Sequence, residues 1–235
     1  MAVGQSTRVE NTHPLRCVRR IIELPLAVPT REALQRRRDD NRALLAQRPP
    51  DSPEARTARF WVEATESLLA QLTGEPDPWL EILRDAQQTI AERMGREALL
   101  NELAEALDLP PDAVLKLLRL QQEHEAASHS VPQTLACELQ AVQIGDIVLL
   151  AHPTELFAEF GLEIKRRSPF PRTFIVGYAN DFLGYIPNEA EFARRGYAAD
   201  TVPYMLDLFP YAPNVGRVFV EACVGLLNDL HAGKE

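Results

Sequence analysis

The stretch Glu138–Ala151 reads ELQAVQIGDIVLLA, two short apolar runs joined at Gly145-Asp146. Glycine and aspartate between two apolar runs are typical of a β-hairpin turn. The second run, Ile147–Ala151, contains no polar residue, and such a continuous apolar run predicts a buried strand. The stretch therefore predicts a pair of antiparallel strands, the second of which lies in the core of the protein.

Apolar spacing predicts further elements on both sides of this hairpin. They are a strand over residues 14–28, a helix over 156–167, a strand over 173–176 and a helix over 215–230. Pro25 and Pro29 end the first strand, because proline cannot donate to a β-ladder. Strands and helices that alternate in this order predict an α/β fold, a partial layered sandwich with a mixed sheet flanked by helices.

The middle of the chain has a different character. Residues 31–128 show helical spacing throughout, which predicts a large helical insertion between two segments of the α/β region, 14–30 and 131–235. Ser52, followed by proline and glutamate, is typical of a helix start, and Gly74 ends that helix. A second amphipathic helix is predicted over residues 79–94.

Composition narrows the classes of function. The chain has 235 residues, of which 46% are hydrophobic, and a formal net charge of -9. Such an acidic chain lacks the basic excess that nucleic-acid binding requires, so we expect no nucleic-acid partner. No apolar run reaches the length of a transmembrane segment, and the first residues contain no signal-peptide core. A cytoplasmic location is the expectation that follows.

The cysteines predict neither disulfides nor a thiolate metal site. Cys17, Cys137 and Cys223 are odd in number, widely spaced and without a Cys-x-x-Cys pair. We therefore expect them to be buried free thiols.

Two polar residues stand where strands end. Glu155 follows the apolar run that closes the hairpin, and Tyr185 lies in the segment 178–187, YANDFLGYIP. A carboxylate and a phenol at one edge of a sheet can together bind a hard or borderline cation. No histidine pair with ligand spacing precedes them to complete such a site.

A succession of short motifs resembles a known family. The motifs are ELQAVQIGD (138–146), PTELF (153–157), SPF (168–170), NDFLGYIP (180–187) and Gly196-Tyr197. In this order they resemble the C-terminal half of the catalytic domain of the neutral/alkaline, non-lysosomal ceramidase family. The resemblance covers roughly residues 131–231, together with the strand at 14–28, and leaves out the helical middle.

The resemblance implies a zinc-dependent amidohydrolase. Members of the family hydrolyse the amide bond of ceramide-type sphingolipids with a zinc-activated water. Their zinc ligands are two histidines from the N-terminal half, a glutamate that matches Glu155 and a tyrosine that matches Tyr185. Two ligands are fewer than a catalytic zinc site uses, so we expect this chain to be inactive without a complementary N-terminal half. Asn180 is expected to shape the loop that presents the tyrosine.

This chain departs from the family pattern at three positions. Thr154 stands where the family usually has a small residue, and Ala198 stands where an acidic residue commonly follows the later tyrosine. His152 occupies a position that is normally apolar. It could face the same cation as Glu155, although packing at the sheet edge with a hydrogen bond to a neighbour is the favoured interpretation. His13, in a polar leader, is expected to be exposed.

Three functional hypotheses stay open at this point. The chain could be part of a zinc hydrolase that acts on a lipid-like amide after it pairs with its missing half or forms a homo-oligomer. It could instead be a noncatalytic, truncated family member. In the third hypothesis the helical middle is an interaction module, in which residues 97–119 form an αα-hairpin. A DNA-binding helix-turn-helix is disfavoured there, because residues 96–119 carry three cations and five acids.

Overall fold

The computed structural model describes residues 15–74, 95–107, 110–116 and 131–233. The chain divides into two compact units, one of Met1–Val28 with Gln133–Glu235 and one of Pro29–Pro132. The amphipathic segment 79–94 and His13 lie outside the described residues, as do parts of the segment 97–119.

The described elements follow one another in a mixed α/β order, which confirms the predicted fold class. They are β1 (Leu15–Pro25), α1 (Arg31–Gln47), α2 (Pro53–Thr73), α3 (Arg96–Leu107), β2 (Thr134–Ile144), β3 (Ile147–Ala151), β4 (Glu155–Leu156), α4 (Ala158–Arg167), β5 (Arg172–Val176), β6 (Tyr185–Ile186), α5 (Glu189–Ala193), a π-helix (Tyr197–Thr201), α6 (Val202–Met205) and α7 (Val215–His231).

The first unit contains a mixed sheet in the strand order β1-β2-β3-β5. The first three strands are antiparallel, and β5 is parallel to β3. The predicted hairpin is confirmed, since Ile144 and Ile147 are paired and Gly145 between them has a φ of 65°. A positive φ suits glycine, which has no Cβ to clash with the backbone. A second, two-stranded sheet pairs β4 with β6 in parallel.

One face of the larger sheet, the inner face, forms the core. Alternate residues of its strands pack there with α7, whose apolar stripe is the one predicted from the sequence. The most deeply buried members include Leu24, Leu139, Val148, Leu150, Phe219, Leu226 and Leu227. Helix α4 packs against α7 and β5, and its Ile164 is fully buried. Burial of these side chains supplies most of the free energy that holds the unit together.

The opposite face of the same sheet, the outer face, carries exposed apolar side chains together with charged ones such as Arg19 and Glu138. Register pairs align Cys17, Val142, Leu149 and Phe174 across the four strands, and we call these four residues the outer row. Phe174 is 50% exposed and Ile144, beside the row, is 54% exposed. The prediction that β3 is a buried strand holds for Val148 and Leu150, which are fully buried, whereas Ile147, Leu149 and Ala151 are half-buried on the outer face.

The cysteines divide between the two faces. Cys137 and Cys223 are buried in the core, as expected. Cys17 is exposed, which corrects the expectation that all three are buried. The reason is the strand period of two, which places Cys17 on the outer face with Arg19 and Ile21.

The second unit contains α1, α2 and α3, and residues 111–116 are also helical. The predicted start of α2 is confirmed, because the Ser52 hydroxyl accepts a hydrogen bond from the Ala55 amide and proline occupies the first turn. Gly74 ends the helix with a left-handed φ of 67°. Helices α1 and α2 pack on each other, and the guanidinium of Arg37 lies 3.4 Å from the ring centroid of Trp61. None of the described helices could cross a bilayer.

Candidate metal site

The site is built where β3 ends and the chain passes into β4. Here residues 152–155 run beside the loop 177–184, which joins β5 to β6. Backbone hydrogen bonds fasten the two segments together: His152 N to Val176 O at 3.0 Å, Ala179 N to His152 O at 3.0 Å, Leu183 N to Pro153 O at 2.7 Å and Glu155 N to Gly184 O at 2.8 Å. A loop with so many backbone bonds to a strand end can hold a side chain in one place.

The structure brings the two predicted site residues together. Glu155 and Tyr185 are register partners in the parallel pair of β4 and β6. The neighbouring Glu155 carboxylate raises the pKa of Tyr185 to about 12, and burial adds to the rise. A carboxylate beside a phenol favours the neutral phenol, because it repels the charge of the phenolate. Their role as metal ligands stays a prediction.

A second phenol lies in the same cleft. Partial burial and the nearby Glu155 carboxylate raise the pKa of Tyr178. Glu155, Tyr178 and Tyr185 therefore bring three side chains with oxygen donors to one end of the sheet. Oxygen donors of this kind suit hard or borderline divalent cations.

Sequence reasoning missed Tyr178 as a site residue. Its backbone lies in the left-handed region, with a φ of 56°, and no sequence pattern predicts that conformation for a tyrosine. The available signals were the turn residues around it, Gly177, Asn180 and Gly184. Asn180 also has a left-handed φ, of 67°, and its side chain donates to Glu138 at 3.1 Å. This agrees with the expectation that Asn180 shapes the loop.

The three oxygen-bearing side chains open into a cleft of ≈ 550 Å³. Apolar side chains supply most of its other walls: Leu156, Phe157, Leu162 and Ile175. Phe157 meets the Tyr185 ring edge to face with centroids 6.1 Å apart, and Lys165 is the cation on the cleft wall. Polar donors at one end of an apolar cleft are typical of a site for an amphipathic small molecule.

His152 is packed beneath this cleft and does not face solvent. It is 1% exposed, its ring meets Phe219 edge to face at 5.2 Å, and its Nδ1 lies 2.9 Å from the hydroxyl oxygen of Thr154. Burial lowers its pKa to about 4, so the ring is neutral at pH 7. These contacts agree with the favoured interpretation of a histidine packed at the sheet edge. They also explain two departures from the family pattern together, since Thr154 provides the hydrogen bond that buried His152 needs.

The third departure lies in the segment that follows β6. Glu191 of α5 is buried, and its carboxylate accepts hydrogen bonds from the Ala198 amide at 3.0 Å and from Arg194 Nε at 2.6 Å. A Cβ on Gly196 would lie 2.2 Å from Glu191 Oε1, so a larger residue there would displace this carboxylate from its hydrogen bonds. The carboxylate thus fixes the turn that carries Tyr197, whose ring centroid lies 6.4 Å from that of Tyr185.

The donor set fits part of a zinc site. Glu155 and Tyr185 supply two oxygen ligands at one point, whereas a catalytic zinc ion ordinarily takes three protein ligands. Among the residues that the structure describes, no group of three His, Cys, Asp or Glu side chains could hold a metal ion. The residues present therefore fit the carboxylate and phenolate half of the ligand set that the resemblance implies.

Comparisons with known proteins give two different likenesses. Residues 80–146 match a protein-family model described as Sigma-70 region 3. The matched range covers less than a third of the chain and ends in the turn that follows β2, a strand of the first unit. No curated protein matches the chain.

Two solved structures share a partial likeness. One is the neutral ceramidase from Pseudomonas aeruginosa, with a TM-score of 0.37, and the other is described as a ceramidase complexed with C2, with a TM-score of 0.36. Each is 22% identical to this chain, and the likeness covers 44% of this chain and 16% of the other.

Proposed function

We propose that this chain is the part of a zinc-dependent amidohydrolase that supplies Glu155 and Tyr185 as metal ligands, and that it acts only when histidine ligands come from a complementary half. The observation that carries the proposal is the register pair of β4 and β6, which puts this carboxylate and this phenol next to each other on the wall of one cleft. The motif order from residue 138 to residue 197 supports the choice of family.

The chemistry of the donors supports the same proposal. Zinc, when bound, would supply the Lewis acid that activates water and polarises an amide carbonyl. The chain's own residues would hold the ion through the Glu155 carboxylate and the Tyr185 oxygen. The apolar walls of the cleft, among them Leu162 and Ile175, would favour a substrate with a hydrocarbon chain, so a lipid-like amide is the proposed substrate class.

The test is a cation titration with the missing histidines replaced by free imidazole. Co²⁺ stands in for zinc, because its visible absorption reports the number and type of its ligands. We expect saturable binding to the wild-type chain that becomes tighter when imidazole is added at a fixed free Co²⁺ concentration. The spectrum should then shift towards that of four-coordinate Co²⁺.

Matched variants distinguish cation binding at this site from cation binding to other carboxylates on the acidic surface. Glu155→Gln and Tyr185→Phe should each abolish the tightening by imidazole, because each removes one of the two protein ligands. Glu159→Gln removes an exposed carboxylate from the first turn of α4 and should leave the titration unchanged. Equal titrations for the wild type and Glu155→Gln would overturn the proposal and favour a noncatalytic family member.

The hypothesis that the helical unit is an interaction module is separate from the metal site. If residues 31–128 form an interaction module, their deletion should abolish binding of a partner protein and leave the Co²⁺ titration of the first unit unchanged. The Sigma-70 region 3 match overlaps this segment. It does not favour a nucleic-acid partner, because residues 96–119 carry more acidic than basic side chains.

A further inference from the structure

We propose that the cleft beside Glu155 binds amide amphiphiles that carry a negative charge, and that Lys165 of α4 is the residue that selects them. The inference rests on the proposed function and deepens it, because a lipid-like amide leaves the charge of the substrate open. The test measures ligand binding in the absence of a metal ion. It can therefore fail while the Glu155–Tyr185 site stands.

One wall of the cleft is a single face of α4. Four residues of the helix contribute to it: Ala158, Gly161, Leu162 and Lys165. Their spacing of i, i+3, i+4 and i+7 places them on one side of the helix. This wall runs for roughly 10 Å along the helix axis. Because Glu155 precedes the first turn of α4 and Lys165 lies in its last turn, the cleft has an acidic end and a basic end.

The same wall presents hydrocarbon surface to the cleft. Leu162 is 67% exposed, although Ile164, two positions further on, is fully buried. Gly161 lies where α4 passes close to β5, since a Cβ there would be 3.9 Å from Ile175 Cγ1. Helix and strand therefore meet beneath the cleft and close it. An exposed leucine is ordinary on a convex surface, but inside a concave site it is a contact surface for a hydrocarbon chain.

Lys165 is a cation without a protein counter-ion. It is exposed and makes no ion pair with any residue that the structure describes. By contrast, Arg167 on the same helix pairs with Glu163 at 3.2 Å and with Glu221 at 2.7 Å. An ammonium group on a flexible stem, free of such partners, is available to an anion in the cleft.

The charge of the whole chain makes a preference for anions a local property. A formal net charge of -9 repels anionic ligands in general. An anion is therefore favoured over a neutral ligand only by a cation within about one Debye length, roughly 8 Å at physiological salt. Among the described residues that line the cleft, Lys165 is the one with a positive charge.

Arg166 provides a matched comparison. It follows Lys165, is also exposed and belongs to the same last turn, but it does not line the cleft. Cations in the last turn of a helix interact favourably with its dipole, and this holds for both residues. A lysine that serves only the helix end would behave like Arg166. A lysine that binds the ligand would not.

The experiment compares two ligands of almost equal length on the metal-free chain. They are N-dodecanoyl-β-alanine and its methyl ester, which share the amide and the hydrocarbon chain and differ by one negative charge. Isothermal titration calorimetry below the micelle concentration measures each Kd. We expect the wild type to bind the acid about 2- to 5-fold more tightly than the ester, as one partly exposed ion pair provides. Added NaCl should reduce this preference.

Three variants assign the preference to its source. Lys165→Met keeps the apolar stem and removes the charge, so it should abolish the preference for the acid and leave the Kd of the ester unchanged. Arg166→Met should leave both Kd values unchanged. Leu162→Ser should weaken the acid and the ester by the same factor, because both contain the hydrocarbon chain. All three side chains are exposed, so the unfolding midpoints should stay close to that of the wild type.

The outcomes distinguish this inference from the proposed function. Equal Kd values for acid and ester in the wild type, or an equal loss of preference in Lys165→Met and Arg166→Met, would overturn the inference and leave the Glu155–Tyr185 site intact. Binding of neither ligand would overturn it as well. A preference that depends on Lys165 in a chain without saturable Co²⁺ binding would support the anion-selective cleft and overturn the metal site.

Discussion

Both faces of the larger sheet carry large apolar side chains, but their surroundings differ, and charged residues such as Arg19 and Glu138 stand among those of the outer face. On the inner face, residues such as Leu139 and Leu150 are fully buried beneath α7. On the outer face, Ile144 and Phe174 are apolar but at least half exposed. Apolar content alone does not make a core, because it also needs a second layer to cover it. A large exposed apolar face is typical of an interaction surface.

The comparison fits the expectation that the α/β region is half of a larger layered core. A complementary half could cover the outer face, and two copies of the chain could cover each other. Both partners stay predictions. Covering the outer face would bury its apolar residues from water, as those of the inner face already are.

The largest difference should appear when one residue of each face is truncated. Leu139→Ala on the inner face should lower the free energy of unfolding by about 2–5 kcal/mol, because it removes buried methyl groups and leaves a cavity. Ile144→Ala on the outer face should change it by about 0.5 kcal/mol or less. Urea denaturation of both variants measures the two effects. Equal losses would mean that the outer face is also covered in solution.

The elements that local sequence patterns control could be predicted from the sequence. Gly145-Asp146 identified the hairpin, Ser52 identified a helix start, and apolar spacing identified α7. The exposure of β3 on one side could not be predicted, because an unbroken apolar run such as Ile147–Ala151 reads the same whether one face or both are covered.

The candidate site was predictable in part for similar reasons. Glu155 and Tyr185 stood out as polar residues at strand ends in a familiar motif order. The strands β4 and β6 have two residues each and carry no periodic signal, so their pairing could not be read from the sequence. The contribution of Tyr178 depends on a backbone conformation that tertiary contacts impose.

The second prediction concerns how the stability of the fold depends on pH through His152, the buried histidine that directly follows β3. The pKa of His152 is lowered to about 4 in the folded state, against 6.5 as its ordinary value. The unfolded chain therefore binds the proton first as pH falls, and stability should decrease from about pH 6.5 down to about pH 4. The full loss is about 3 kcal/mol.

Unfolding free energies measured across this range, for the wild type and for His152→Gln, isolate the contribution of the imidazole. The variant should lack the part of the slope that His152 causes. Parallel pH profiles for the two proteins would show that burial does not suppress protonation of this ring.

A smaller loss is expected from a buried hydroxyl behind the site loop. Tyr211 is buried in the core and donates to the Leu183 carbonyl at 2.9 Å. Tyr211→Phe leaves that carbonyl without its partner and should lower the free energy of unfolding by about 1–3 kcal/mol. Tyr197→Phe, measured by the same thermal or urea denaturation, is the exposed control and should be nearly neutral. A neutral Tyr211→Phe would mean that water replaces the lost bond.

The smallest effect on stability should come from making the outer row more polar. Phe174→Ser should change the unfolding free energy by about 0.5 kcal/mol or less, because the side chain is half exposed. It should nevertheless reduce self-association of the chain, which sedimentation at several concentrations measures. Wild-type chain that stays monomeric at high concentration would argue against a homo-oligomer that uses this face.

The exposed thiol of Cys17 gives this surface a built-in reporter. Cys137 and Cys223 are buried, and burial raises the pKa of Cys137 to about 12 and the pKa of Cys223 well above its ordinary value. A maleimide dye or nitroxide added to the native chain should therefore attach at Cys17 alone, on the edge strand of the outer face. Protection of this one thiol from alkylation would reveal an arriving second layer without any engineered residue.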